Sequence, residues 1–460
     1  MLPSSSSSLR CVRRLPTALA RSFATATEHS SSSASASSSS SSSAATSAAT
    51  ASGLPPLQKP QSNPIRARTR LNPQPRSTSS STTTSSTSTA NTTSATTTTA
   101  TTSRTGHRST FALASLPPNF GQNQLLSVSS STRALLEDVV AQFRAPIRYA
   151  FAYGSGVFEQ DGYTKMKEEG RTPMLDFMFA VRHPDHWHSI NMSQFPGHYP
   201  LHARALGSDF VSKVQEVGPG VWFNTHVTVN GVTIKYGVTS IDNLCSDLLM
   251  WDSLYLAGRM HKPLRIIKDD ARVRLTQQVN LTSALRTALL TLPAQFTERE
   301  LFEKITSISY DGDPRMFLPA ENRSKISNIV TKQSPQFKEL YQRLAVGLPG
   351  VHWGLYSEKI EQDLSVQTRA VHVRKLPEVL RRRVVRRYEG RDGFPTREAD
   401  ESAFWLKVAG DEGLQDVLSS EMRGIVRYPA AVQTVKGLVS AGVGKSLRYS
   451  AEKVGKWWRG

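Results

Sequence analysis

Gly154-Ser155-Gly156 closes a short apolar run, and Asp176 stands about twenty residues later inside a second one, LDFMFAV. Glycines on both sides of a serine let backbone N–H groups approach an anion closely, and the hydroxyl adds another donor. A carboxylate on the next strand is a hard oxygen ligand suited to Mg²⁺. The chemistry such a set supports is the holding of a phosphate chain together with a divalent cation.

These residues need elements to position them. Leu135, Leu136, Val139, Val140 and Phe143 recur at helical spacing behind Ser131 or Thr132 as an N-cap, and this helix feeds a strand over 148–153. After the GSG turn, Asp161-Gly162 and the polar run to Arg171 read as an exposed loop, and Pro173 precedes the strand 174–181. His183, His186, His188 and His198 include no pair at the i, i+4 spacing of a helical zinc site, so they read as a short loop and helix with polar residues lining a cleft. A helix over 206–217 follows. Val221–Val229 and Val232–Val238 flank Asn230-Gly231, the strongest local hairpin signal because both turn residues tolerate positive φ. Alternation sets Val232, Ile234, Tyr236 and Val238 on one face and Thr233, Lys235 and Gly237 on the other. Lys235 therefore faces either solvent or phosphates bound at the GSG turn.

Ser240 caps an expected helix over 241–257, where Asp242, Asp247 and Asp252 read as a solvated acidic face, and 264–267 is a short strand. The order describes an α/β domain with a mixed sheet. Beyond Arg272 the strand signal vanishes, and helical patterns over 272–291, 297–309 and 321–344 describe a second, helical domain, for which a winged helix is one arrangement. Residues 374–412 read as an Arg-rich polar insertion. From Ala431 to Trp458, Val432, Val435, Val439, Val443, Leu447, Val454 and Trp458 keep helical spacing while Lys436, Lys445, Arg448, Lys453 and Lys456 fall between them. A basic amphipathic helix ending in Trp457-Trp458 suits the headgroup region of an anionic membrane. Gly444-Lys445-Ser446 ends like a P-loop, but Val439 stands where that motif needs glycine.

Composition narrows the class. The net charge is +19, and residues 1–115 hold eleven Lys or Arg against the single acid Glu28, so about half of the excess lies in the leader. Residues 1–27, with Arg10, Arg13, Arg14 and Arg21 and no acid, carry the signature of a mitochondrial transit peptide. Residues 28–114 are dominated by Ser, Thr and Ala and bury too little apolar surface to offset their conformational entropy, so disorder is expected. Only Cys245 lies beyond the leader, which excludes an intramolecular disulfide in the mature chain and a cysteine-based metal site. No uncharged apolar window of about 18 residues exists, so membrane association is peripheral.

A general nucleotidyltransferase pattern pairs a GSG-like turn with two acids on one strand face; here the second position is Met178, and the second metal ligand must come from elsewhere. The stretches YGSGVF at 153–158, LDFMFAV at 175–181, HWHSINMSQFPGHY at 186–199, KYGVTSIDNL at 235–244, LAGRMHKP at 256–263 and ISYDGDPRM at 308–316 resemble the mitochondrial phosphatidate cytidylyltransferase family. These are the peripheral CDP-diacylglycerol synthases also called mitochondrial translocator assembly and maintenance proteins. The resemblance covers about 130–345 and resumes at 431–449. It implies an α/β nucleotidyltransferase-like domain (115–270), a helical domain (271–373) and a membrane-binding C-terminal region (413–460). It also implies conversion of CTP and phosphatidic acid to CDP-diacylglycerol and pyrophosphate with Mg²⁺, on the matrix face of the inner membrane, for cardiolipin and phosphatidylglycerol synthesis. Family members carry the same single acid in the LDF position.

The expected site assigns Asp176, Ser155 and Lys235 to catalysis, with Gly154, Ser155, Gly156, Lys268 and Asn191 around the triphosphate. Asp176 and Asp242 are the expected metal ligands. Anionic inner-membrane lipids are the expected partner of 431–460, and nucleic acid is not expected because aromatics do not interleave with the basic runs. The rival readings are an RNA or tRNA nucleotidyltransferase of the same superfamily and a non-catalytic membrane adaptor in translocator assembly.

Overall fold

A computed structural model describes residue 117 and residues 119–158, 174–317 and 324–459. The leader, the Ser/Thr-rich stretch and the 161–171 loop lie outside the described residues. The described chain belongs to one compact unit, Ser103–Gly460.

Helix α1 (Ser130–Ala141) is capped by Ser129, whose side chain accepts from Thr132 N, one turn earlier than the expected cap. It leads into β1 (Tyr149–Tyr153), and the short α2 (Ser155–Phe158) starts at the GSG turn, where Gly154 has φ 98°. Next come β2 (Leu175–Val181), α3 (Pro184–Gln194) and α4 (Leu201–Glu216), the last broken at Gly207. The hairpin β3 (Trp222–Val229) and β4 (Val232–Ser240) turns at Asn230 and Gly231, both at positive φ as expected. Ser240 caps α5 (Ile241–Met250), which is followed by α6 (Ala257–Met260) and β5 (Leu264–Lys268).

The five strands form one mixed sheet in the order β3-β4-β2-β1-β5. β2 runs parallel to β4, with Asp176 opposite Lys235, and the other pairs are antiparallel. Period-two alternation divides the sheet faces. Ala150, Ala152, Phe177, Phe179, Ile234 and Tyr236 pack with Leu136, Val139 and Trp187 of α1 and α3. Tyr149, Phe151, Met178 and Phe223 point the other way, into a core continuous with the helices that follow.

Those helices are α7 (Ala271–Leu289), α8 (Glu298–Ser307), α9 (Lys325–Val346), α10 (Val366–Arg374), α11 (Glu378–Tyr388), α12 (Glu401–Ala409) and α13 (Leu414–Arg459). The strand signal does not end at Arg272: β6 (Gln295–Thr297), β7 (Val351–Trp353) and β8 (Lys359–Gln362) form a small sheet in the order β6-β8-β7. At three or four residues each, they are too short for alternation to mark them in the sequence. The Arg-rich stretch is not a polar appendage. In α11, Leu380, Val384, Val385 and Tyr388 are buried in the common core, and Arg387 and Arg383 pair with the buried Glu421 of α13 at 2.6 and 3.4 Å. Charge dominated the sequence reading, but the apolar residues at i, i+4, i+5 and i+8 decide the packing.

The C-terminal segment also differs from a free interfacial helix. α13 is continuous through Pro429 to Arg459. Its 431–440 portion docks on the body, with Gln433, Lys436 and Ser440 buried and Val432 against Gly218. Lys436 Nζ donates to Gln215 O and Val217 O at the C-terminal end of α4, where unpaired helix carbonyls favour a cation. Burial lowers its pKa to about 8.

Candidate active site

The register of β2 and β4 puts Asp176 and Lys235 side by side on the sheet face that looks toward the helices. Lys235 Nζ lies 3.1 Å from Asp176 Oδ1, and each side chain is about a quarter exposed. Burial works against the Lys235 ammonium, but the Asp176 carboxylate, with Tyr153 and Tyr255, outweighs it and keeps the pKa above its ordinary value. The ammonium also stands 4.8 Å from the Phe223 ring centre. Antiparallel pairing sets Tyr153 beside Asp176, so Gly154 follows directly at the same end of the sheet. A Cβ built on Gly154 would sit 3.7 Å from Asp176 Oδ2, and its φ of 98° favours glycine independently.

These residues open onto a cavity of about 590 Å³ whose other walls come from the helical half. Arg259, Lys262, Arg315, Lys325 and Lys332 line it with Lys235, while Asp176 and Asp313 are the acids among the described lining residues. Asp313 is engaged by Arg315, with Nη2 to Oδ2 at 2.6 Å and Nε to Oδ1 at 3.0 Å. Arg259 lies over the rings of Tyr255 (4.6 Å) and Tyr153 (5.1 Å). Lys262 Nζ donates to Gly258 O and to Ser309 Oγ. Burial, then Arg259 and Lys325, press the Lys262 pKa well below its usual value. A cleft whose cations outnumber its acids and crowd one another is matched by a polyanion.

A buried carboxylate holds Arg259 in place. The expected helix over 241–257 stops at Met250, and Trp251 and Leu254 both adopt left-handed φ (59° and 55°). Asp247, read from the sequence as part of a solvated face, is buried and ties this loop. Oδ1 accepts from Ser253 N (2.7 Å), Ser253 Oγ (2.9 Å) and Leu254 N (3.0 Å), and Oδ2 from Leu256 N and Ala257 N (both 2.9 Å). From the opposite side, Asn280 Nδ2 and Gln277 Nε2 donate to Ala257 O and Met260 O. The loop thereby delivers Tyr255 and Arg259 to the cleft.

Three expected site residues lie elsewhere. Asp242 begins α5, just past Ser240, which pairs with Val181 at the end of the sheet opposite Asp176; it is 73% exposed and bound to Arg272. It does not stand beside Asp176. Lys268 pairs with Ala150 at the start of β1, remote from the GSG turn, and is exposed. Asn191 is buried behind the sheet and does not line the cleft: its Nδ2 donates to Tyr199 Oη (2.9 Å) and Tyr236 Oη (2.8 Å). His188 and His198 belong to the same network through Tyr199 and Tyr236. Conversely, Arg259, Lys262, Ser309, Tyr310 and Arg315, which fall within the family-like stretches, line the cleft although the sequence alone does not single them out. Arg259 and Lys262 stand three residues apart, Ser309, Tyr310 and Arg315 share no such spacing, and only tertiary packing joins the five to Asp176.

Sheet and cleft define the class: an α/β protein with a cation-rich cleft of about 590 Å³ beside Asp176 at the end of a mixed sheet. The sequence signature of the family described as "Phosphatidate cytidylyltransferase, mitochondrial" matches residues 136–456. Relatives carrying that name include those of Saccharomyces cerevisiae, 36% identical over 342 residues (74% of each chain), and Xenopus laevis, 37% identical over 337 residues (73% of this chain and 97% of the relative). That of Schizosaccharomyces pombe is 36% identical over 345 residues, covering 73% of this chain and 86% of the relative. The chain belongs to the mitochondrial phosphatidate cytidylyltransferase family. The match runs through 374–412, so the Arg-rich stretch lies inside the family region rather than outside it.

Proposed function

We propose that this chain joins CTP to phosphatidic acid, giving CDP-diacylglycerol and pyrophosphate, with a nucleotidyltransferase-type sheet as its scaffold. The observation that carries the reading is Asp176 beside Gly154 and Lys235 in a cleft with surplus cations. Mg²⁺ fits this end of the cleft. Asp176 Oδ1 is buried and makes no hydrogen bond, its contact with Lys235 being an ion pair alone, so a lone pair remains for a metal. A cation that retains waters and binds mostly through phosphates needs only one or two protein carboxylates. Asp176 would hold the ion, which when bound would supply neutralisation of the charge on the phosphates and the departing pyrophosphate.

The chain's own residues do the rest. Gly154 and Gly156 let the turn approach the triphosphate, and Ser155 is the residue that the sequence sets between them. Lys235 faces the phosphates beside Asp176, and Arg259, held over two tyrosine rings, faces the middle of the cleft. The acceptor phosphate is already an oxyanion near neutral pH, so a strong general base is not required. Replacing Asp176 with Ala should reduce Mg²⁺-dependent turnover about 10³-fold, as loss of a charge-stabilising group does. Turnover within a few-fold of the unmodified chain would show that Asp176 is not the metal ligand.

The setting is part of the same proposal. Among the described residues no helix is long and apolar enough to cross a membrane. The docked start of α13 leaves 441–460, with Lys445, Arg448, Lys453, Lys456 and Trp457-Trp458, as the segment that meets anionic lipid on the matrix side of the inner membrane. The acid-free leader supports import as a transit peptide. The small β6-β8-β7 sheet packed with helices supports a winged-helix arrangement of the second part.

A further inference from the structure

The two ends of the cleft differ in chemistry. At the sheet end, a carboxylate and an ammonium stand together, as a metal-bound phosphate chain requires. At the helical end, Lys262 and Lys325 converge on one ring, their Nζ atoms 4.9 and 5.2 Å from the centre of Tyr310. Lys262 is steadied there by neutral oxygens, with Ser309 Oγ at 2.9 Å. Arg259 lines the same cavity, over the rings of Tyr255 and Tyr153, and its charge opposes that of Lys262. Ile329, Val426 and Ala430 add apolar wall to the same cavity.

We propose that Lys262, Lys325 and Ser309 form the acceptor subsite, which takes a phosphomonoester dianion, separate from the triphosphate end at Asp176 and Lys235. This rests on the reaction proposed above. A monoester phosphate carries close to two charges near neutral pH and three acceptor oxygens, which two ammonium groups and a hydroxyl satisfy without a metal. From there a monoester oxygen attacks the α-phosphorus of CTP bound in the same cavity. That oxygen forms the new P–O bond, the bond from the α-phosphorus to the bridging oxygen breaks, and its electron pair leaves with pyrophosphate. No proton has to be removed from the dianion.

The test uses the full chain and two variants, Lys325→Gln on the cleft surface and Ser309→Ala. CTP affinity with Mg²⁺ is measured by calorimetry without acceptor. KM is measured for phosphatidate in phosphatidylcholine vesicles, and binding of soluble glycerol 3-phosphate is titrated directly. In both variants the phosphatidate KM should rise about 10-fold, the worth of one hydrogen bond to a charged group, and glycerol 3-phosphate should weaken in parallel, while CTP affinity stays within about 2-fold. A parallel loss of CTP affinity would assign the cluster to the triphosphate and overturn the subsite. So would an unchanged phosphatidate KM, or an effect confined to vesicles. Lys325-dependent binding of glycerol 3-phosphate by a chain that forms no CDP-diacylglycerol would refute the reaction and leave the subsite standing.

Discussion

Replacing Asp247 with Ala should loosen the wall of the cleft without touching its floor. The carboxylate accepts four backbone N–H groups and one hydroxyl from 253–257, in a loop that holds two non-glycine residues at left-handed φ. Alanine leaves four buried donors without an acceptor, at about 1 kcal/mol each for the low end of such penalties, so about 4 kcal/mol in all. Over the roughly 320 described residues that corresponds to a melting temperature lower by roughly 6 °C, and hydrogen exchange at the amides of 254–257 should quicken. Asp242→Ala on the same helix is the control: its exposed pair with Arg272 is worth no more than about 1 kcal/mol. Because the loop delivers Tyr255 and Arg259, turnover should fall in the Asp247 variant and hold in the Asp242 variant. Equal melting temperatures and unchanged amide protection in the two variants would refute the reasoning.

Acid should weaken the fold through its buried imidazoles. Burial lowers the pKa of His188 to about 4 and of His261 to about 3, from 6.5. The unfolded chain therefore takes up protons first as pH falls; stability is full above about 6.5 and is lost toward 4 and 3. At pH 5.5 each histidine costs about 1.4 kcal/mol, and denaturant unfolding at pH 7.5 and 5.5 measures it; equal stabilities would contradict neutral burial. Removal of 441–460 should reduce co-sedimentation with anionic vesicles, and binding by the full chain should weaken as salt is raised. Salt-independent binding that survives the truncation would place the lipid contact elsewhere.

What was legible in the sequence was local. The Asn230-Gly231 turn, the Ser240 cap and the GSG turn announce themselves because the residue type and the backbone conformation are coupled within a few positions. Asp176 and Lys235 were each visible as candidates, but their partnership depends on parallel pairing of β2 with β4, a non-local event that no short window encodes. Asp247 and Asp242 look alike on a helical wheel, and the difference between them lies in the loop that folds back over α5. Lys268 and Asp242 lie away from Asp176 for a similar reason: a strand has two ends, and sequence proximity to a motif does not say which end faces the cleft. In α13 the periodicity was right, but the first turns of the basic face were matched to carbonyls of α4 rather than to lipid.

The central claim is tested most directly by supplying the full chain with CTP labelled at the α-phosphate, Mg²⁺ and phosphatidate in phosphatidylcholine vesicles, and following label and pyrophosphate together. The account predicts that label enters lipid as CDP-diacylglycerol, one pyrophosphate released for each, at a rate about 10³-fold lower for the Asp176→Ala chain. Label that stays out of the lipid, or that enters added RNA instead, would contradict it.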